Sequence, residues 1–159
     1  MNASHLIQQL QLQPHPEGGY YRETYRSVET LTTAQRNTRN VSTAIYYLLE
    51  DQDKSVFHRI QSDELWFFHQ GKPLEIVSIR NAELVTIILG NDVTKNQVPQ
   101  AMIAANTWFA ARVKDAAGYS LVSCTVAPGF EFSDFELANR KELLELYPKI
   151  KDTIERFTR

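Results

Sequence analysis

The sequence predicts an all-β fold, an antiparallel sandwich or barrel, with a short helix at either end. Two observations carry that prediction. About eight short segments rich in Val, Ile, Thr, Tyr and Phe follow one another between turn residues, with no helical pattern interleaved, which argues against parallel α/β units. Helical spacing of apolar residues occurs only near the termini, at Leu6, Ile7 and Leu10 and again at Leu143, Leu144, Leu146 and Tyr147. At 159 residues a single domain spanning 1–159 is expected.

In chain order, Ser4 to Leu12 reads as a helix capped by Ser4 and ended before Pro14, where a backbone donor is lost. Pro14-His15-Pro16-Glu17-Gly18-Gly19 is a stiff connector ending in two glycines, which can turn tightly or let another backbone come close. Tyr20 to Ser27 follows as a strand. Strict alternation puts Tyr20, Arg22, Thr24 and Arg26 on one face and Tyr21, Glu23 and Tyr25 on the other. Both faces are polar and aromatic, which suits an exposed edge, a pocket wall or a subunit contact. Leu31 to Asn40 is polar and reads as a loop. Strands are then expected at Ser42–Leu49, Val56–Ile60, Glu64–His69, Leu74–Ile79, Leu84–Leu89, Gln100–Ile103, Thr107–Val113 and Gly118–Val126. Pro128-Gly129 breaks the sheet, and the aromatic-acidic Phe130 to Leu137 is expected over a barrel mouth. Asn139, with Glu142 three residues on, caps the C-terminal helix.

Composition narrows the function. Apolar residues at 43% and charged residues at 23% suit a globular core. Lys plus Arg number 17 against 19 Asp plus Glu, so no basic stripe is available for phosphate backbones and nucleic acid is not an expected partner. Apolar runs fall short of a membrane span, and MNASHLIQQLQL lacks the pattern of a signal peptide. A single cysteine, Cys124, cannot form an intrachain disulfide and is expected as a small buried apolar residue. No membrane association and a cytoplasmic location are the expectations.

The densest candidate chemistry lies in VFHRIQSDELWFFHQG, residues 56–71. Gln61-Ser62-Asp63 reads as a turn between two strands, giving a hairpin. Alternation then places His58, Ile60, Glu64, Trp66 and Phe68 on one face, so a histidine and a glutamate project from facing strands into an apolar surface. His69 falls on the opposite face.

This stretch resembles the first motif of the cupin superfamily, a glycine, two alternating histidines, a glutamate and a closing glycine. His58, Glu64 and Gly71 match; Gln52 stands at the leading glycine and Ile60 at the second histidine. Further blocks, HPEGGYYRETYRS at 15–27, STAIYYLL at 42–49, NTWFAA at 106–111 and VAPGFEFSDFELANR at 126–140, resemble the small cupin family of unassigned function with the fold of the dTDP-4-dehydrorhamnose epimerases (cupin type 5). The resemblance implies a double-stranded β-helix, a jelly-roll cupin barrel, that forms a homodimer. It implies no established reaction. The metal histidine of the second motif falls near Trp108 or Phe109, and no histidine follows His69.

Two ligands rarely hold a transition metal, so neither a metal nor any other cofactor is expected. His58 beside Glu64 could instead serve as a tuned base, with Tyr25, Tyr20 or Tyr47 as the opposing acid, for proton abstraction next to a carbonyl. The expected catalytic set is His58, Glu64 and Tyr25; the expected ligand-binding set is Arg22, Trp66, Phe68, Gln100 and Trp108. Arg22 or Arg26 could hold a phosphate or carboxylate. The expected partner is a small molecule, sugar-like or phosphorylated, handled by an isomerase or epimerase. A non-catalytic metabolite-binding protein and a weakly metal-dependent oxygenase-like cupin are the alternatives.

Overall fold

Alternating side chains sort the strands into two sheets that share one interior. The computed structural model describes residues 2–159. Its strands are β1 (Gln13–Pro14), β2 (Tyr20–Arg26), β3 (Thr30–Thr32), β4 (Thr38–Asn40), β5 (Thr43–Glu50), β6 (Lys54–Arg59), β7 (Asp63–Gly71), β8 (Leu74–Arg80), β9 (Glu83–Leu89), β10 (Gln100–Ile103), β11 (Phe109–Val113), β12 (Tyr119–Ala127) and β13 (Glu136–Leu137). One sheet runs β1-β2-β5-β12-β7-β10, the other β13-β6-β11-β8-β9, and β3 pairs with β4 alone. Neighbouring strands are antiparallel, and the two sheets close on each other as a jelly roll, the double-stranded β-helix.

Each sheet is also covered, in part, on its outer side. Tyr47, Leu49 and Trp66 of one sheet meet Leu74, Ile76 and Phe109 of the other in the interior. On the outer side of the five-stranded sheet, Phe57, Val77, Ile79 and Ala110 pack under helices α2 (Arg140–Leu146) and α3 (Lys151–Arg156) through Leu143, Ile154 and Phe157. The outer side of the six-stranded sheet receives helix α1 (Ala3–Gln9) through Ala3 and Leu6, against Leu48 and Leu121. Two-sided burial explains why β8 buries Ile76, Val77, Ser78 and Ile79 in succession, apolar side chains facing both ways. Among the described residues no helix is long and apolar enough to cross a membrane.

Three local expectations are corrected. The first helix is capped by Asn2, whose side chain accepts from the His5 N–H, and begins at Ala3, so that Ser4, expected as the cap, lies inside it. The polar stretch 31–40 contains the short β3–β4 pair, where threonines supply strand propensity. Residues 56–71 do not form a hairpin: β6 and β7 lie in different sheets, and Ile60 to Ser62 carries the chain across the barrel. A polar turn between two alternating strands looks the same whether the strands pair or face each other. The second-motif turn survives its substitutions, because Asn106 takes the left-handed backbone (φ 60°) and donates its N–H to the Ile60 carbonyl at 2.7 Å.

Candidate active site

One end of the interior is left open as a cavity of about 290 Å³. Residues from both sheets, from the 13–19 connector and from the segment after β12 line it. His58, Ile60, Glu64, Trp66 and Tyr47 all point into it, as their alternation requires.

The partner of His58 is Glu17. His58 Nε2 lies 3.0 Å from Glu17 Oε2, and its Nδ1 lies 2.8 Å from the Val56 carbonyl. A carbonyl can only accept, so Nδ1 carries a proton. The Nε2–Oε2 contact then needs one more proton shared between imidazole and carboxyl. The Ser55 hydroxyl donates to the other Glu17 oxygen at 3.0 Å. Both partners are buried, Glu17 at 6% and His58 at 2% exposure, and the imidazole packs on Phe109 at 4.2 Å between ring centres.

The two glycines deliver Glu17 to this position. Gly18 has φ 115°, and a Cβ there would sit 1.9 Å from the Lys54 carbonyl oxygen. Gly19 has φ 71°, and its Cβ would meet the Leu48 carbonyl oxygen at 2.6 Å. Only glycine allows so close an approach. The connector is then pinned: Val56 N–H donates to the Glu17 carbonyl at 3.0 Å, and the buried Tyr47 hydroxyl to the Gly18 carbonyl at 2.6 Å. Burial holds the Tyr47 hydroxyl well above its ordinary pKa. His15 Nδ1 accepts the Glu17 N–H at 3.2 Å, so its 3.7 Å approach to the Glu17 carboxylate is not an ion pair. Burial lowers the His15 pKa and keeps the ring neutral.

Glu64 stands across the cavity from His58, on the other sheet. Burial, reinforced by the nearby Glu17 carboxyl, pushes its pKa up to about 8; the Trp66 indole and Cys124 thiol pull weakly the other way. Glu64 is therefore a neutral carboxylic acid at neutral pH, able to donate a proton. The Trp66 indole N–H is itself buried and has no hydrogen bond of good geometry among the described residues.

At the mouth, Arg26 fastens the segment after β12. Its Nε and Nη2 donate to the two Glu23 oxygens at 2.9 and 2.8 Å. Nη1 donates to Asn40 and to Glu131, both at 2.9 Å, and Nη2 to the Phe130 carbonyl at 3.0 Å. Phe130, Phe132 and Phe135 of this segment form an aromatic lid, with ring centres 5.0 to 6.3 Å apart. That is the placement expected for the aromatic-acidic stretch.

Of the residues expected at the site, His58, Glu64 and Trp66 line the cavity, but His58 pairs with Glu17 and not with Glu64. The others lie elsewhere. Tyr25 is 55% exposed. The reason is a register shift between Glu23 and Tyr25 on β2, which breaks strict alternation and puts Arg26, not Tyr25, on the inner side with Tyr21 and Glu23. Arg22 stays outside, its guanidinium 5.8 Å from the Tyr46 ring centre. Phe68 faces inward but packs into the apolar interior beyond the cavity. Ala101 and Ile103 are the buried residues of β10, so Gln100 points out. Phe109 fills the interior, so its neighbour Trp108 turns out, beneath the Arg59 guanidinium at 4.3 Å. Residue reading missed Glu17 and His15. The available signal was an acid and a histidine two apart beside a glycine pair. Among the described residues no group of three or more His, Cys, Asp or Glu side chains is arranged to hold a metal ion.

A family model described as Cupin superfamily (DUF985) matches residues 4–138. A hypothetical protein from Leishmania major superposes with a TM-score of 0.94 at 35% identity, over 99% of either chain. Protein SO0799 from Shewanella oneidensis gives a TM-score of 0.92 at 38% identity, over 100% of this chain and 98% of that one. The uncharacterized protein YML079W of Saccharomyces cerevisiae is 29% identical over 143 residues, 81% of this chain and 71% of its own.

Proposed function

We propose that this chain, which belongs to the DUF985 family of the cupin superfamily, is a proton-transfer enzyme, an isomerase or epimerase of a small sugar-like carbonyl compound. One observation carries the reading. A buried Glu17–His58 pair that shares a proton faces, across one cavity, a carboxyl that is neutral at neutral pH. The pair can take a proton from the carbon next to a carbonyl, while Glu64 donates its own proton to the carbonyl oxygen. The pair then returns its proton to carbon while a hydroxyl proton of the enediol passes back to Glu64, so the carbonyl re-forms and no proton is gained or lost. Acid and base stand on opposite walls, which suits attack on two faces of one carbon skeleton. The size of the cavity, at the small end of the roughly 300–1,000 Å³ typical of ligand sites, suits a monosaccharide rather than a nucleotide sugar. The strand Tyr20–Arg26, one strand from the sheet edge, offers the surface for the homodimer that belongs to this proposal, and light scattering at micromolar concentration tests it.

The test of chemistry is wash-in of deuterium from solvent at the carbon beside the carbonyl, in a panel of small aldoses and ketoses preselected by thermal shift. Exchange that stops in His58→Asn and in Glu17→Gln, with both variants folded, is the expected result. Binding without any exchange in the unaltered protein would leave the non-catalytic metabolite-binding reading in its place.

A further inference from the structure

The charge of the ligand follows from how the cavity's own charges are committed. Arg26 is the only Arg or Lys among the cavity-lining residues. A guanidinium has five N–H donors, and all five are used, on Glu23 twice, Asn40, Glu131 and the Phe130 carbonyl. No donor of this arginine is left for a phosphate or carboxylate. His58 is committed on both nitrogens, to Val56 and Glu17. His15 Nδ1 accepts from the backbone, and its ring is walled by Tyr21, Phe132 and Phe135.

The lining holds four carboxyls, Glu17, Glu23, Glu64 and Glu131, against this one arginine. The Glu17–His58 pair, with its single shared proton, is neutral overall. Glu23 and Glu131 against Arg26 leave one negative charge at the mouth. An anion entering this cavity would meet net negative charge with no free cationic donor, in an enclosure whose aromatic wall weakens screening. A neutral hydroxyl or carbonyl oxygen meets something different, the buried Trp66 indole N–H, which makes no hydrogen bond of good geometry among the described residues. A ligand amine would find Glu23 and Glu131 for its charge and the faces of Phe130, Phe132 and Tyr21 for its methylenes or its cation.

We infer that the cavity takes an uncharged or amine-bearing polyhydroxy compound and rejects phosphorylated and carboxylated ones. The inference deepens the reading above and rests on the same cavity, but it concerns charge and not chemistry. The phosphorylated partner expected from Arg22 or Arg26 is thereby set aside: Arg22 lies outside the cavity, and Arg26 is saturated.

The experiment separates charge from sugar identity. Nuclear magnetic resonance of the Trp66 indole and His58 ring signals would follow titrations with glucose, glucosamine, gluconate and glucose 6-phosphate, and with tetramethylammonium and inorganic phosphate as bare charges. The expected result is that neutral or cationic members move these signals with affinities at least about tenfold above their anionic counterparts. In Glu131→Ala, at a half-exposed position whose loss frees one Arg26 donor, phosphate should gain affinity while glucose does not. An anion that binds the unaltered cavity more tightly than its neutral or cationic counterpart overturns the inference, as does a cavity that responds to none of the six probes. A response to tetramethylammonium over phosphate with silence from every sugar keeps the charge inference and removes the sugar-like substrate instead.

Discussion

The two ends of the barrel interior share strands β5 and β12 and differ in what they give up. At the closed end Leu49 and Val122 of these strands meet Leu74, Ile76, Leu89 and Val113 with almost no exposure and no polar group among them. At the open end β5 and β12 contribute Tyr47 and Cys124, β6 and β7 add His58 and Glu64, and the space between them is unfilled. Packing stabilises the first end. The second buries carboxyls and histidines that would be better solvated in water, and so lowers stability for the sake of a preset arrangement. The sheets are thus a scaffold whose closed end offsets the cost of the open one.

The largest effect that tests this contrast is loss of packing. Ile76→Ala at the closed end should cost about 2–5 kcal/mol, since the surrounding side chains cannot collapse into the hole. Ile60→Ala, on the cavity wall, should fall at or below the lower end of that range, because the space it opens joins one already present and accessible to water. Urea titration of both variants decides it; equal costs would mean that the two ends are equally well packed and that the cavity is not a distinct region.

The next effect is electrostatic and depends on pH. Glu64 has a folded-state pKa of about 8 against 4.5 for the ordinary group. The folded protein therefore holds this proton more tightly than the unfolded chain does. Its contribution to stability is fully present below pH 4.5, declines as pH rises, and is lost once pH passes about 8, a change of a few kcal/mol at most. Glu64→Gln should flatten that decline, so the variant gains on the parent steadily between pH 4.5 and 8. His15 slopes the other way: its lowered pKa means that stability is lost as pH falls below 6.5. A parent protein with no more decline than Glu64→Gln across this window would show that Glu64 is ionised in the fold.

The contrast between the two ends also marks what the sequence makes legible. Apolar alternation is a property of single strands, so the closed end, the inward set His58, Glu64 and Trp66, and the helices at the termini can all be read from periodicity. The pairing of His58 cannot. It depends on Glu17, in a connector far upstream in the chain, and the two glycines that admit it advertise a close approach without naming the neighbour. Tyr25 and Arg26 exchange roles through one shifted residue on β2, which no alternation rule can foresee. Arg22, Gln100 and Trp108 suit ligands by residue type alone; the inward positions next to each of them belong instead to Tyr21, Ala101 and Phe109.

The smallest effect concerns the lid that divides the open end from solvent. Arg59 and Glu136 are register partners on β6 and β13, with Nε to Oε2 at 2.7 Å, and both are well exposed. Arg59→Gln removes this ion pair together with the stacking of its guanidinium over Trp108. Exposed pairs of this kind contribute roughly 0–1 kcal/mol, and an exposed cation over an aromatic ring about 0.5–1 kcal/mol, so global stability should change by no more than about 1–2 kcal/mol. The lid itself should respond more visibly than the fold. Phe135 N–H bonds the Phe132 carbonyl at 3.2 Å, inside the lid, whereas Ala138 N–H bonds the Phe57 carbonyl at 2.9 Å, beyond β13 and under the helices. In Arg59→Gln, hydrogen exchange should quicken at Phe135 and stay unchanged at Ala138, because the first bond opens with the lid and the second only with the sheet. Equal acceleration at both amides would mean that residues 130–137 are part of the barrel's cooperative unit, and the open end would then have no movable cover at all.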